Sequence, residues 1–141
     1  SNIAYINTET NQIIIYSSQR SSIEAEKEEV LDNVEEIFTS IKATVKQHAK
    51  YPGWEPNVES PILAVAKKVY ENTFHKKLLV KAIHAGLECG LLGSKYPHLD
   101  MISLGPTIRR AHSPDEKVEI ASVAKFWQFV VALLKQTPKK N

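Results

Sequence analysis

Tyr51-Pro-Gly-Trp-Glu-Pro56 places two prolines and a glycine within six residues, and no helix or strand passes through such a segment. It divides the chain into two stretches with different patterns. Upstream, Ile3 to Asn7 and Gln12 to Ser18 are rich in β-branched residues and are separated by the polar tetrad Thr8-Glu-Thr-Asn11, which predicts a hairpin. Ile13-Ile14-Ile15 is apolar on both faces, so that strand is expected inside a sheet. Ser21 and Glu24 have the spacing of a capping box, and Ile23, Val30, Val34, Ile37, Phe38 and Ile41 then recur at helical spacing over 22–41. The run Glu24 to Glu29 reads as the solvated side of that helix. Weak alternation from Ala43 to Lys50 predicts a third strand, giving a β-β-α-β unit.

Downstream, Ser60-Pro61 is an N-cap with proline in the first turn, opening a helix with Leu63, Ala66, Val69, Tyr70 and Phe74 on one face. Leu78 to Ile83 and Met101 to Leu104 are short apolar runs expected as buried strands, with a short helix at Leu87 to Gly93 between them. Ser122 is expected to cap a last helix whose inner face carries Val123, Phe126, Trp127, Val130 and Leu134. The order α-β-α-β-α implies a parallel α/β layer, yet two strands cannot cover such a sheet with helices on both faces. The layer reads as incomplete, with edges at 78–83 and 100–105 left open to self-association.

Composition excludes several classes. The chain has 141 residues, 43% apolar and 24% charged, with a net charge of +2, which suits a globular protein rather than a disordered one. Basic residues are scattered with no aromatic interleaving, so nucleic acid is not the expected partner. The longest apolar runs are far shorter than the ~20 residues needed to span a bilayer, and no leader pattern is present, so a cytosolic protein is expected. A lone cysteine, Cys89, allows no internal disulfide and agrees with a reducing compartment.

The chemistry is concentrated in His84-Ala-Gly-Leu-Glu-Cys-Gly90, Asp100-Met-Ile-Ser-Leu-Gly-Pro-Thr-Ile108 and Ala111-His-Ser-Pro-Asp-Glu116, where polar side chains stand at the ends of apolar runs. From the residues alone, His112 is either a metal ligand presented from a strand end, oriented by Asp115 or Glu116, or a solvated loop histidine capping a turn. His84 and Glu88, four apart, form a second ligand pair if the segment is helical; otherwise His84 is a satisfied core histidine. Arg20 offers a guanidinium fork for a carboxylate, or takes part in a surface ion pair. Cys89 has no assignable histidine and carboxylate partners and reads as small-residue packing.

These three blocks, with Ser18-Gln-Arg-Ser-Ser22 and Tyr51-Pro-Gly-Trp54, resemble the aminoacyl-histidine dipeptidases, zinc enzymes that cleave Xaa-His dipeptides such as carnosine. The resemblance covers most of the chain. It implies that residues 1–51 are the last part of a lid or dimerisation domain and 52–141 the returning C-terminal part of a zinc-binding α/β domain, whose N-terminal part is missing here. It implies His112 as a zinc ligand in a site that holds two zinc ions in the complete enzyme, and Arg20, His84, Gly86 and Glu88 as residues that bind the dipeptide substrate. Arg109-Arg110 departs from the family's more usual single basic residue followed by glycine or another small residue, which puts local cation binding in doubt. One imidazole does not hold zinc, so the chain alone is expected to be inactive, and a homodimer meeting through the lid is expected. The competing reading is a non-catalytic dimerisation or interaction module.

Overall fold

A computed structural model describes residues 1–82 and 87–137. The chain is a mixed α/β protein with four helices and two small antiparallel sheets among the described residues, arranged as two compact units. One unit comprises Ser1–Pro56 with Ala82–His98, the other Asn57–Lys81 with Leu99–Asn141. Among the described residues, no helix is long and apolar enough to cross a membrane.

In the first unit, β1 (Asn2–Thr8) and β2 (Ile13–Ser18) form the expected hairpin, closed by the Glu9 amide donating to the Gln12 carbonyl at 2.9 Å. The register shifts between Ile3 and Tyr5, and Tyr5 stacks on Tyr16 with ring centroids 4.2 Å apart. β2 is not interior to a sheet. Its only described neighbour is β1, and Ile13 and Ile15 are exposed.

Helix α1 (Glu24–Ser40) follows, but Ser21 and Glu24 do not make a capping box. The Ser21 hydroxyl instead accepts the Ile23 amide and donates to Glu26, while the Glu24 carboxylate reaches the Gly53 amide at 2.9 Å. The expected strand over 43–50 is absent. Lys42 and Ala49 have φ of 62° and 54°, left-handed values at which an extended run cannot continue, and no strand among the described residues pairs with this segment.

The first unit has no buried apolar side chain among its described residues; its one buried long side chain is Lys27. The Lys27 ammonium donates to the Tyr51 carbonyl and to Glu24, both at 2.7 Å, which ties α1 to the Pro-Gly segment. Close backbone approach replaces side-chain packing at two glycines. A Cβ on Gly53 would lie 2.6 Å from the Ser22 carbonyl oxygen, and one on Gly90 would lie 2.7 Å from that of Pro52. Gly90 lies in the short helix α3 (Glu88–Lys95), which matches the expected helix near 87–93.

In the second unit, α2 (Pro61–Phe74) starts as the sequence predicts, with the Ser60 hydroxyl accepting the Leu63 amide at 3.1 Å. Asp100 adds a second acceptor, taking the Ile62 amide at 2.7 Å, an anion at the positive end of a helix. His75 closes α2 at φ 53°. The last helix, α4 (Ile120–Gln136), packs on α2 through Ala66, Val69, Phe129 and Leu133, with Tyr70 meeting Phe129 edge to face at 5.3 Å. The expected inner face of α4 is therefore corrected: Val123, Trp127 and Leu134 are exposed, and the buried line runs through Phe129 and Leu133.

No strand forms over 78–82 or 101–104, so the parallel layer expected there is not present among the described residues. Leu78 and Ile102 pack singly against the α2 and α4 core, whereas Leu79 and Val80 stay exposed. The strands that do form here are β3 (Ile108–Arg109) and β4 (Lys117–Val118), a short antiparallel pair that the sequence reading did not anticipate.

Candidate functional site

The β3–β4 hairpin presents His112 at its tip. Pairing of Ile108 with Val118 and of Arg109 with Lys117 brings the two ends of the loop together. Inside it, Ser113 donates both its amide (3.2 Å) and its hydroxyl (2.7 Å) to the Arg110 carbonyl, and the Glu116 amide donates to the Ser113 carbonyl at 3.0 Å. Arg110 and His112 hold φ of 54° and 64°, in the left-handed region that costs a side-chain-bearing residue about 1 kcal/mol or more. The loop is also fastened to the start of α4. Glu119 donates its amide to the Thr107 carbonyl at 2.9 Å and pairs with Arg109 at 3.1 Å, while Ser122 accepts the Thr107 amide at 2.9 Å. Ser122 thus joins the hairpin to α4 rather than capping it, since the helix already begins at Ile120.

The carboxylates offered by the sequence as orienters of the His112 ring are engaged elsewhere. Asp115 pairs with Arg110 at 2.7 Å, and Glu116 accepts the backbone amide of His112 at 2.6 Å. The ring itself is exposed and forms no hydrogen bond with the described residues. Arg110, the departure that set a second positive charge beside His112, is neutralised by Asp115.

Arg20 and Glu88 belong to the first unit. Arg20 is exposed in the link between β2 and α1, and it takes part in no ion pair among the described residues. Glu88 is the first residue of α3 and is exposed. Its charge raises two neighbours. Burial, and then Glu88, push the Cys89 thiol above its ordinary range, and the same causes raise the Tyr51 phenol. A thiol raised in this way is less ionised at neutral pH than a free one, which makes it a poorer nucleophile. His84 and Gly86 lie outside the described residues.

A zinc centre of the catalytic kind takes about three protein ligands with one open position. No three His, Cys, Asp or Glu side chains among the described residues come together to hold a metal ion. His112 supplies one donor. The described residues therefore do not fit a zinc site by themselves. What the sequence reading missed is structural: the Lys27 clamp, hidden in a charge run that read as solvated, and the Asp100 cap on α2, which is 38 residues from its partner.

Comparison with known proteins gives the family. The chain is 37% identical over 139 residues to the cytosol non-specific dipeptidase of Escherichia coli (strain K12), a match that covers 99% of this chain and 29% of that protein. The crystal structure of aminoacylhistidine dipeptidase from Vibrio alginolyticus superposes with a TM-score of 0.76 at 38% identity, again over 99% of this chain and 29% of the other. The chain spans under a third of the length of these relatives. The model of peptidase family M20/M25/M40 matches residues 5–136, and the chain belongs to that family.

Proposed function

We propose that this chain is the C-terminal portion of a zinc-dependent dipeptidase of the Xaa-His type, and that it hydrolyses nothing by itself. The reading is carried by the match of 99% of the chain to two dipeptidases at 37% and 38% identity. In the longer enzyme His112 is one zinc ligand, its backbone fixed by the Arg110–Glu116 loop and its ring left free of protein partners. Two zinc ions and the remaining ligands belong to the complete protein. Arg20 grips the carboxylate of a dipeptide through bidentate pairing, and the segment from His84 through Gly86 to Glu88 lines the substrate pocket. Residues 1–51 are the end of a lid domain through which the complete enzyme forms a homodimer, and 52–141 belong to the catalytic domain. The cytosol is its compartment, as the name of the Escherichia coli relative suggests.

The test uses a longer protein that contains this segment and extends to the length of the relatives. Dipeptide hydrolysis is expected from the long protein and not from the 141-residue chain. His112→Ala in the long protein is expected to lose bound zinc by metal analysis as well as activity. Arg20→Ala is expected to raise KM for dipeptides with bound zinc unchanged. Full zinc content in His112→Ala, or unchanged KM in Arg20→Ala, would remove the role assigned to that residue.

A further inference from the structure

The backbone that follows Arg20 and the start of α3 both rest on the Pro-Gly segment. A Cβ on Gly53 would lie 2.6 Å from the Ser22 carbonyl oxygen and 3.1 Å from that of Ser21. Gly90 meets the same segment, where an added Cβ would lie 2.7 Å from the Pro52 carbonyl oxygen and 3.4 Å from that of Gly53. Approaches this close leave room for a hydrogen atom alone, so the backbone at 21–22, at 52–53 and in the first turn of α3 is in direct contact.

Polar groups fasten that contact. Glu24, in the first turn of α1, accepts the Gly53 amide at 2.9 Å, and Lys27 donates to the Tyr51 carbonyl at 2.7 Å. The Ser21 hydroxyl accepts the Ile23 amide at 3.1 Å and donates to Glu26 at 2.9 Å. Arg20 therefore lies between the end of β2 at Ser18 and a tied first turn of α1. Glu88 opens α3 two residues before Gly90. All of these residues belong to one compact unit, and no apolar side chain is buried among its described residues. Backbone contact and the clasp of Lys27 and Glu24, rather than apolar packing, set where Arg20 stands relative to Glu88.

We infer that Gly53, Gly90 and Lys27 are positioning residues for substrate binding, which fix the Arg20 guanidinium relative to Glu88 and so set how tightly a dipeptide is held. The inference rests on the substrate-binding role proposed above for Arg20 and Glu88. The side chain of Lys27 is spent on Tyr51 and Glu24, and the glycines have none, so the three act through Arg20 and Glu88. Bidentate pairing needs two donors in register with two carboxylate oxygens, and a misplacement of about 1 Å is enough to lose it. Restoring ordinary contact around a Cβ at Gly90 shifts α3 against residues 52–53 by about 0.7 Å.

The test uses the longer protein, with dipeptide kinetics, zinc content and far-ultraviolet circular dichroism measured together. Gly90→Ala and Lys27→Met are each expected to raise KM roughly tenfold, with kcat changed by less than about twofold and zinc content unchanged. In an Arg20→Ala background the same two changes are expected to raise KM further by less than about twofold, because the grip they position is already gone. Should one variant fail to fold, the other carries the same comparison.

Three results would overturn the inference. A KM raised by Arg20→Ala but unmoved by both Gly90→Ala and Lys27→Met would sink it and leave the proposed role of Arg20 standing. Equal fold-changes with and without Arg20 would show that the variants act on the fold and not through Arg20. A KM indifferent to Arg20→Ala would remove the underlying reading, and the inference with it.

Discussion

Replacing Lys27 tests how the first unit holds together without an apolar core. Its side chain is 7% exposed, it donates to the Tyr51 carbonyl at 2.7 Å, and it contacts the Glu24 carboxylate at 2.6 Å. Glu24 is 53% exposed, so solvent screens the ion pair and limits it to about 1 kcal/mol or less. The charged hydrogen bond to the Tyr51 carbonyl contributes more, about 1.5–3 kcal/mol. The four-carbon stem adds a packing contribution of about 0.8 kcal/mol per buried methylene, reduced because no apolar neighbour is fully buried beside it. Lys27→Ala is therefore expected to cost about 3 kcal/mol, and Lys27→Met, which keeps the stem, about 2 kcal/mol. The assay is urea unfolding followed by Trp54 fluorescence in a Trp127→Phe background, so that the emission reports on the clamped segment alone. If Lys27→Met proves neutral while Lys27→Ala is costly, the stem and not the charge holds the segment. If both are neutral, the clamp does not stabilise the unit.

Three further outcomes follow from the same geometry. The Gly53 amide, and then Lys27, hold the Glu24 carboxyl below its usual range; the stabilisation is thus fully present above the unfolded carboxyl value of about 4.3 and is lost as pH falls through the folded one, so acid titration of Trp54 emission should show a transition that Glu24→Gln removes. Gly90→Ala sets a Cβ 2.7 Å from the Pro52 carbonyl and should cost about 1–3 kcal/mol by the same urea assay, a neutral result meaning that α3 can withdraw freely from the Pro-Gly segment. At Arg110, whose φ is 54°, substitution by glycine relieves about 1 kcal/mol of strain while giving up an exposed ion pair of similar or smaller size, so Arg110→Gly should leave thermal stability nearly unchanged and Arg110→Val should lower it; equal effects would count against the left-handed backbone.

The elements that were legible in the sequence are those that need no distant partner. The β1–β2 hairpin is announced by two β-branched runs and a four-residue turn, α2 by Ser60 and Pro61, and α4 by its apolar residues at helical spacing. The strands expected over 43–50, 78–83 and 101–104 do not form among the described residues for one shared reason. A strand exists only when another strand pairs with it, and a short apolar run such as Leu78-Leu-Val80 does not by itself specify extended backbone. The phase of α4 failed for a different reason. A helix with apolar residues on two sides has no unique inner face, and only α2 decides that Phe129 and Leu133 lie inside.

The site was legible as residue types and positions, but its hydrogen bonding was not. Both carboxylates near His112 looked like orienters of its ring, because spacing places them within reach. In the folded hairpin, the left-handed backbone at Arg110 and His112 turns the His112 amide toward Glu116 and leaves Asp115 to Arg110. The loop's polar groups thus satisfy one another through the backbone, and the imidazole nitrogens remain uncommitted. Arg20 is likewise exposed, in the link between β2 and α1, with no ion-pair partner among the described residues. The loop's carboxylates are spent on the scaffold, Asp115 on the Arg110 guanidinium and Glu116 on the His112 amide.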